Sequence, residues 1–232
     1  EWSFNSNNPT YGRISVVSGT LRHDVNVDNH YNLNSSVLRL DLSGETGKTV
    51  KLNFDYYDAL DESDATYDKL QYSPNGGTTW YDASTTVLSS STASWVAFPE
   101  IILSELSNFS YSSNFLLKWG QYDNYAWPTD GIGLDNIAVT TFQPTISTSG
   151  TVAPLVSCDG AASVNSGSFT VSGINLQGDI TVTAPNTEFE VSLSASSSFS
   201  SSVSISPTNY VVANTTIYVR LSAASNGAAS GN

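Results

Sequence analysis

The sequence predicts an all-β protein built from two tandem β-sandwich domains. Short segments alternate apolar and polar side chains with a period of two, which is typical of half-buried strands. They recur about every 8–15 residues with turn residues between them. The composition also changes near Pro144, because residues 1–143 hold all five Trp and 17 of the 21 acidic residues, whereas residues 144–232 hold 30 Ser and Thr. We therefore place one domain at residues 1–143 and the other at residues 144–232.

The first half contains clear strand patterns. Leu38, Leu40 and Leu42 share one face of an extended segment, with charged residues between them. Asn75-Gly76 accepts the positive φ angles of a tight turn and therefore predicts a hairpin. A short helical turn is expected at residues 100–106. Strands are predicted in this half at residues 37–42, 49–57, 67–72, 78–81, 115–119 and 134–141.

The second half repeats the β pattern with shorter and more polar segments. In its strands, apolar residues alternate with Ser and Thr rather than with charged residues. Strands are predicted there at residues 168–171, 180–183, 188–193, 202–206 and 216–221.

Composition excludes several classes of function. A net charge of −13 without a basic stripe argues against nucleic-acid binding. No apolar run approaches the ~20 residues that span a bilayer, so membrane insertion is not expected. The single Cys158 excludes an intrachain disulfide. Glu1-Trp2 is typical of a mature or trimmed start.

Two motifs of the first half indicate a family. The hairpin Asn75-Gly76-Gly77-Thr78-Thr79-Trp80 is followed much later by Gly131 to Val139, which contains Asp135-Asn136-Ile137. Together they resemble the jelly-roll modules of secreted bacterial proteins, similar to MAM domains and carbohydrate-binding modules. The resemblance implies a jelly roll with a structural Ca²⁺ near the first and last strands. It makes Asp135 a candidate ligand of that ion, and Asp28 a second one.

The second half resembles another family through a series of motifs in order. Residues 168–173, 178–185, 189–192 and 216–221 are similar to the Ig-like repeat of large surface and secreted proteins of Bacteroidetes. The resemblance implies a spacer or stalk, with neighbouring domains of a longer chain as partners. A further strand follows the Ser230-Gly231-Asn232 segment in that family, so we expect this domain to be truncated at its C-terminus.

Catalysis has little support in the sequence. Only His23 and His30 could activate a nucleophile, and no G-x-S-x-G motif is present. Glu100 and Glu105 flank a short apolar turn, which favours solvated positions over a pair of glycosidase carboxylates. We expect no enzymatic activity, although the chain could belong to a larger polysaccharide-degrading enzyme.

Clustered acidic residues predict a calcium site. Ca²⁺ takes six to eight oxygen ligands, and five carboxylates fall within residues 58–68. So many like charges repel one another unless they are solvated or neutralised. A solvated acidic loop is the alternative. The candidate metal ligands are Asp28, Asp58, Asp61, Asp64, Asp68 and Asp135.

An aromatic loop predicts a second kind of site. Residues 119–131 mix Trp and Tyr with Asp, Asn and Gln, a combination suited to sugars because aromatic faces cover C–H groups while amides and carboxylates bind hydroxyls. The alternative is that Trp119 and Trp127 fill the core. The candidate ligand-binding residues are Tyr122, Asp123, Asn124, Tyr125, Trp127 and Asp130.

These observations favour a non-catalytic polysaccharide-binding module with structural calcium, in a secreted or cell-surface bacterial protein. Its partner would be a polysaccharide or surface glycan. The alternative is an adhesin stalk or accessory interaction module without a glycan ligand. Exposed Tyr122, Tyr125 and Trp127 lying side by side would favour binding, and their burial in the core would favour the stalk.

Overall fold

A computed structural model describes residues 1–88 and 93–225. The chain divides into two compact units, Glu1–Phe142 and a second that begins at Gln143. The predicted all-β class is confirmed, since the regular elements of the described residues are antiparallel strands apart from one 3₁₀ helix at Leu103–Glu105. Ser230-Gly231-Asn232, on which the expected truncation depends, lies outside the described residues.

The first unit contains eleven described strands in two antiparallel sheets. In chain order they are β1 (Trp2–Ser6), β2 (Gly12–Val17), β3 (Thr20–Val25), β4 (Asn32–Leu40), β5 (Thr49–Asp58), β6 (Leu70–Ser73), β7 (Tyr81–Asp82), β8 (Trp95–Ala97), β9 (Ile101–Ile102), β10 (Phe115–Asp123) and β11 (Ile132–Phe142).

The strand order is that of a jelly roll. One sheet runs β1-β4-β10-β6-β7 and the other β2-β3-β11-β5-β8, with β9 also paired to β5. In each sheet, strands from opposite ends of the unit pair with one another, so that β4 lies beside β10 and β3 beside β11. This arrangement brings loops that are far apart in sequence to the same end of the sandwich.

The core lies between the inner faces of these sheets, as the alternating pattern requires. On β5, Leu52, Phe54 and Tyr56 point inward, and on β10 Leu117 and Trp119 do so. The Phe54 and Trp119 rings meet edge to face, with 5.7 Å between centroids. Trp119 is therefore a core residue rather than part of an exposed aromatic surface.

The predicted hairpin is present with a longer loop than the tight turn expected. Strands β6 and β7 pair through Gln71 with Asp82 and Tyr72 with Tyr81. The Asn75 side chain accepts a hydrogen bond from the backbone N–H of Thr79 over 2.9 Å, which closes the loop on itself. The chain consequently re-enters the sheet only at Tyr81. The predicted helical turn at residues 100–106 becomes strand β9 followed by the 3₁₀ helix.

The second unit contains six described strands in two smaller antiparallel sheets. Its core consists of Val171, Val191, Ile217 and their neighbours. The sheets run β12-β13-β17-β15 and β14-β16. The strands are β12 (Thr145–Ser149), β13 (Gly167–Ile174), β14 (Ile180–Thr183), β15 (Phe189–Ser192), β16 (Ser202–Ile205) and β17 (Val211–Leu221). Across the described residues, no helix has the length and hydropathy needed to cross a bilayer.

Candidate functional site

The interior of the jelly roll becomes polar at one end. Trp119 is the last large apolar side chain on the inner face of β10, and Gln121 and Asp123 follow on that face. Opposite them on β4 lie Asn34 and Asn32, paired in register with Gln121 and Asp123. These four side chains are at most 2% exposed. Period-two alternation places them inside, so the core holds polar groups that require partners.

Two loops add carboxylates to this polar end. Asp61 follows β5, Asp130 precedes β11, and both side chains are buried. The carboxylate oxygens of Asp61, Glu62 and Asp130 lie within 4.8 Å of one another. Gln121 Nε2 donates a hydrogen bond to Asp61 Oδ2 over 3.3 Å. Glu62 is exposed, so this carboxylate cluster reaches the solvent on one side.

The pKa values reflect how closely these acids are packed. Burial, with Asp130 beside it, raises the pKa of Asp61 to about 10. Burial likewise raises the pKa of Asp123 to about 8, and the Asp130 carboxyl adds to the effect. Buried carboxylates in contact cannot all stay ionised by themselves. Either a proton binds to one of them, or a cation neutralises their charge.

Several buried oxygens at this end lack a hydrogen-bond partner among the described residues. They include Asp61 Oδ1, Gln121 Oε1 and Asp123 Oδ2 at the cluster itself. Buried polar atoms are nearly always paired, yet among the described residues no N–H or O–H group is placed to donate to these three oxygens. A hard cation such as Ca²⁺ satisfies carboxylate and amide oxygens simultaneously. The donor set therefore fits Ca²⁺.

Three further acidic residues of the predicted metal set organise the loop between β5 and β6. Asp58 Oδ1 accepts the backbone N–H of Asp61 over 2.7 Å. Asp64 Oδ1 accepts the N–H of Thr66 over 2.7 Å. Asp68 accepts backbone N–H groups with both of its oxygens, from Asp64 and from Tyr122. Their hydrogen bonds shape the loop that presents Asp61.

Asp28 and Asp135 lie elsewhere. Asp28 Oδ1 accepts the N–H of Ala126 over 2.9 Å, which holds the aromatic loop against the β3–β4 loop. Asp135 lies on β11 at a bulge and pairs in register with Asp55. The structure thus joins Asp61, from the predicted metal set, with two residues predicted to bind the ligand, Asp123 and Asp130. Gln121 was not predicted, although its spacing of two residues from Asp123 on one strand could have revealed it.

The aromatic residues of the predicted ligand site separate onto different surfaces. Tyr122 lies on the outer face of the five-stranded sheet, between Tyr31 and Tyr67, with 5.4 Å between ring centroids in each pair. Trp127 lies on the other sheet, 5.1 Å from the Tyr57 ring and beneath the guanidinium of Arg22. They are neither side by side nor buried in the core.

Tyr125 and Asn124 belong to the loop between these surfaces. The Tyr125 hydroxyl donates a hydrogen bond to Asn29 Oδ1 over 2.8 Å. The Asn124 side chain is buried, and its Oδ1 has no hydrogen-bond partner among the described residues. Asn124 and Tyr125 both connect to Asn29, so they join the aromatic loop to the β3–β4 loop.

The outer face of the five-stranded sheet carries a groove of about 330 Å³. Gly120 forms part of its floor, where a Cβ atom would lie 2.6 Å from the backbone oxygen of Tyr67. The missing side chain lets the Tyr67 backbone approach β10 closely, and Tyr67 and Trp80 form aromatic walls of the groove. The polar lining residues are Asn5, Asn7, Ser35, Thr66, Gln71 and Lys118.

One basic side chain, that of Lys118, lines this groove. Lys118 Nζ lies 4.2 Å from the centroid of the Trp80 ring, and the side chain is half-buried. Beside it, Lys69 forms an ion pair with Asp82 over 3.0 Å, and Gln71 donates a hydrogen bond to the other Asp82 oxygen over 2.8 Å. The groove therefore combines aromatic, amide and cationic groups.

No protein-family model matches the chain. A search of curated proteins also finds no significant match.

Proposed function

We infer that the first unit is a non-catalytic carbohydrate-binding module of a secreted or cell-surface protein, with a jelly roll stabilised by Ca²⁺. The second unit acts as a spacer to neighbouring domains. The observation that carries this proposal is the groove over Gly120, with Tyr67 and Trp80 as its walls. The proposed contact surface thus differs from the aromatic loop that the sequence favoured.

The chemistry of the groove suits a sugar chain. Aromatic rings offer broad apolar faces at low conformational cost, and the C–H side of a pyranose packs against such faces. The amides of Asn5, Asn7 and Gln71 supply both donors and acceptors for hydroxyl groups. Because the groove lies open on a sheet face, a polymer could pass through it without a free chain end.

Calcium would be held by the carboxylate cluster rather than in the groove. Asp61, Asp123 and Asp130, with the amide oxygen of Gln121 and the exposed Glu62, supply oxygens of the type that Ca²⁺ prefers. The ion would link two loops to the end of β10. Strand β10 also carries the floor of the groove, so the ion would stiffen the binding surface from below.

The distribution of carboxylates supports a binding role over hydrolysis. A glycosidase uses two carboxyl groups on either side of the scissile bond. Among the described residues that line the groove none is acidic, and the adjacent Asp82 is held by Lys69 and Gln71. His23 is buried and bonded to Ser36 over 2.6 Å, so it faces no substrate.

An accessory interaction module is the second candidate, favoured by one apolar surface. Trp2, Phe4 and Val16 are 38%, 52% and 66% exposed along the β1 and β2 edges of the jelly roll. They border a cavity of about 230 Å³. Exposed apolar clusters of this kind mark contacts between proteins or domains.

Affinity electrophoresis of the full chain through gels containing polysaccharides tests the proposal. With calcium present, one or more polymers should retard the protein. Tyr67→Ala and Trp80→Ala should abolish this retardation while the protein remains folded. Trp95→Ala is the matched control, because Trp95 is 45% exposed on the other sheet. The proposal fails if no polymer in a broad panel retards the protein, or if only Trp95→Ala reduces retardation.

A further inference from the structure

We propose that the groove selects glycans that carry an anionic substituent, a carboxylate or a sulfate ester, and that Lys118 contacts this group. The inference rests on the proposed carbohydrate-binding function and specifies its substrate class. It is unexpected for a chain with a net charge of −13, which repels polyanions at long range.

Three of the seven basic residues of the first unit, Arg22, Arg39 and Lys118, form no ion pair among the described residues, and only Lys118 of these lines the groove. The other four are matched by a carboxylate, and the matched pairs are Arg13–Asp24, Lys48–Glu45, Lys51–Glu100 and Lys69–Asp82. Within the described part of the chain, Lys118 forms no ion pair, and its Nζ lies over the Trp80 ring instead. This acidic protein therefore has a half-buried ammonium group without a paired carboxylate in the surface groove.

The surroundings of Lys118 favour an incoming anion. Burial and the neighbouring Lys69 lower the pKa of Lys118, and Asp82 offsets this only in part. Asp82 is already engaged by Lys69 and by Gln71. A ligand anion would add the missing opposite charge and make the ammonium form more favourable. The lysine ammonium group is a compact point charge with freely rotating N–H donors, so it suits both a carboxylate and a sulfate.

The register of the sheet places this charge where a bound sugar would meet it. Lys118 and Gly120 lie two residues apart on the same face of β10, and Lys118 pairs with Gln71 on β6. A ring lying over Gly120 between Tyr67 and Trp80 would extend its substituents along β10. Lys118 lies at that edge of the groove, and the Trp80 ring holds its amine in place.

Two matched pairs of ligands test the assignment on the full chain with calcium. Uronate oligosaccharides too short to gel are compared with their carboxyl-reduced forms, and sulfated oligosaccharides with their desulfated forms. Titration calorimetry should show tighter binding of the anionic member of at least one pair. The pair that shows the preference identifies the substituent.

Variants then assign the preference to Lys118. Lys118→Gln should weaken binding of the anionic member about tenfold and leave the neutral member nearly unchanged, as expected for loss of one charged contact. Lys118→Arg should retain the preference. Lys48→Gln is the charge-matched control, since Lys48 is paired with Glu45 outside the groove.

The outcomes separate the two proposals. Equal binding of charged and neutral forms, or an anionic preference unchanged in Lys118→Gln, overturns the selectivity while carbohydrate binding stands. Absence of binding to any charged or neutral glycan overturns both proposals together.

Discussion

The buried carboxylate of Asp68 accepts a hydrogen bond from the backbone N–H of Tyr122 over 2.7 Å. Its second oxygen accepts the N–H of Asp64 in the acidic loop. Tyr122 lies between Gln121 and Asp123, so Asp68 joins the loop that presents Asp61 to the strand that carries the rest of the cluster. The same strand forms the floor of the groove on its outer face.

Asp68→Asn should therefore destabilise the first unit without removing a metal ligand. Asparagine has only one acceptor oxygen, so one of the two backbone N–H groups loses its partner. The lost hydrogen bond lowers the free energy of unfolding by about 1–3 kcal/mol. Burial raises the pKa of Asp68 to about 6, so removal of its buried charge opposes this loss, and we expect a net loss at the lower end of that range. Urea denaturation followed by Trp fluorescence measures this unit specifically, because all five Trp lie within residues 1–143. Asp159→Asn, at an exposed position in the second unit, should have no effect on that signal.

Calcium binding predicts that Asp61→Asn has opposite effects with and without the ion. Without calcium, the substitution relieves crowding among buried carboxylates and should stabilise the first unit by on the order of 1 kcal/mol. With calcium at about 100 times its Kd, the wild type gains about 2.7 kcal/mol, and the variant should lose most of that gain. Thermal unfolding in EGTA and in calcium chloride, followed by Trp fluorescence, measures both effects.

Asp135→Asn is the control for the calcium experiment. The sequence made Asp135 a candidate ligand by resemblance, but the residue lies at a bulge beside Asp55, away from the carboxylate cluster. Its substitution should leave the calcium response unchanged. Loss of the response in Asp135→Asn but not in Asp61→Asn would refute the site at Asp61, Asp123 and Asp130.

His23 should make the first unit less stable in mild acid. Complete burial lowers the pKa of His23 to about 3, whereas an unfolded chain has a His pKa of about 6.5. The folded state therefore binds fewer protons than the unfolded state between these values, and stability falls as the pH falls from about 6.5 towards 3. The full effect has a slope of about 1.4 kcal/mol per pH unit.

His23→Gln isolates this contribution from that of the carboxylates. Glutamine retains a hydrogen-bonding group for Ser36, which the His23 ring contacts over 2.6 Å, but does not titrate. The unfolding free energy of the wild type minus that of the variant should be constant above pH 7 and decline below it. A difference that stays flat down to pH 4.5 would show that His23 is protonated in the folded state.

The sequence predicted the fold well where one face of a strand is buried. Alternation on β5 and β10 identified both strands because their inner side chains are apolar. Strand β12 was missed, since all five of its residues are exposed and polar neighbours surround its one Ile. The loop at Asn75 was longer than expected because a side chain, rather than the backbone, closes it.

The site was harder to predict because it depends on contacts distant in sequence. Acidic clustering made Asp61 a candidate metal ligand. The carboxyl groups beside it, those of Asp123 and Asp130, come from the other end of the unit and meet it only when β10 and β11 enter the sheets. The local density of charge also made Asp58 and Asp68 candidate metal ligands, whereas in the structure their carboxylates accept hydrogen bonds from backbone N–H groups. The aromatic loop was treated as one surface, although Tyr122 and Trp127 lie on different sheets.

Trp127→Ala distinguishes the groove from the site that the sequence favoured. Trp127 packs against Tyr57 and beneath Arg22 on the sheet opposite the groove. Its removal should cost about 1–3 kcal/mol of stability through lost packing, while retardation by the polysaccharide persists. Trp80→Ala should abolish the retardation with little loss of stability, because Trp80 forms a wall of the groove. If Trp127→Ala instead abolishes retardation in a folded protein and Trp80→Ala does not, the sugar binds over Tyr57, Trp95 and Trp127.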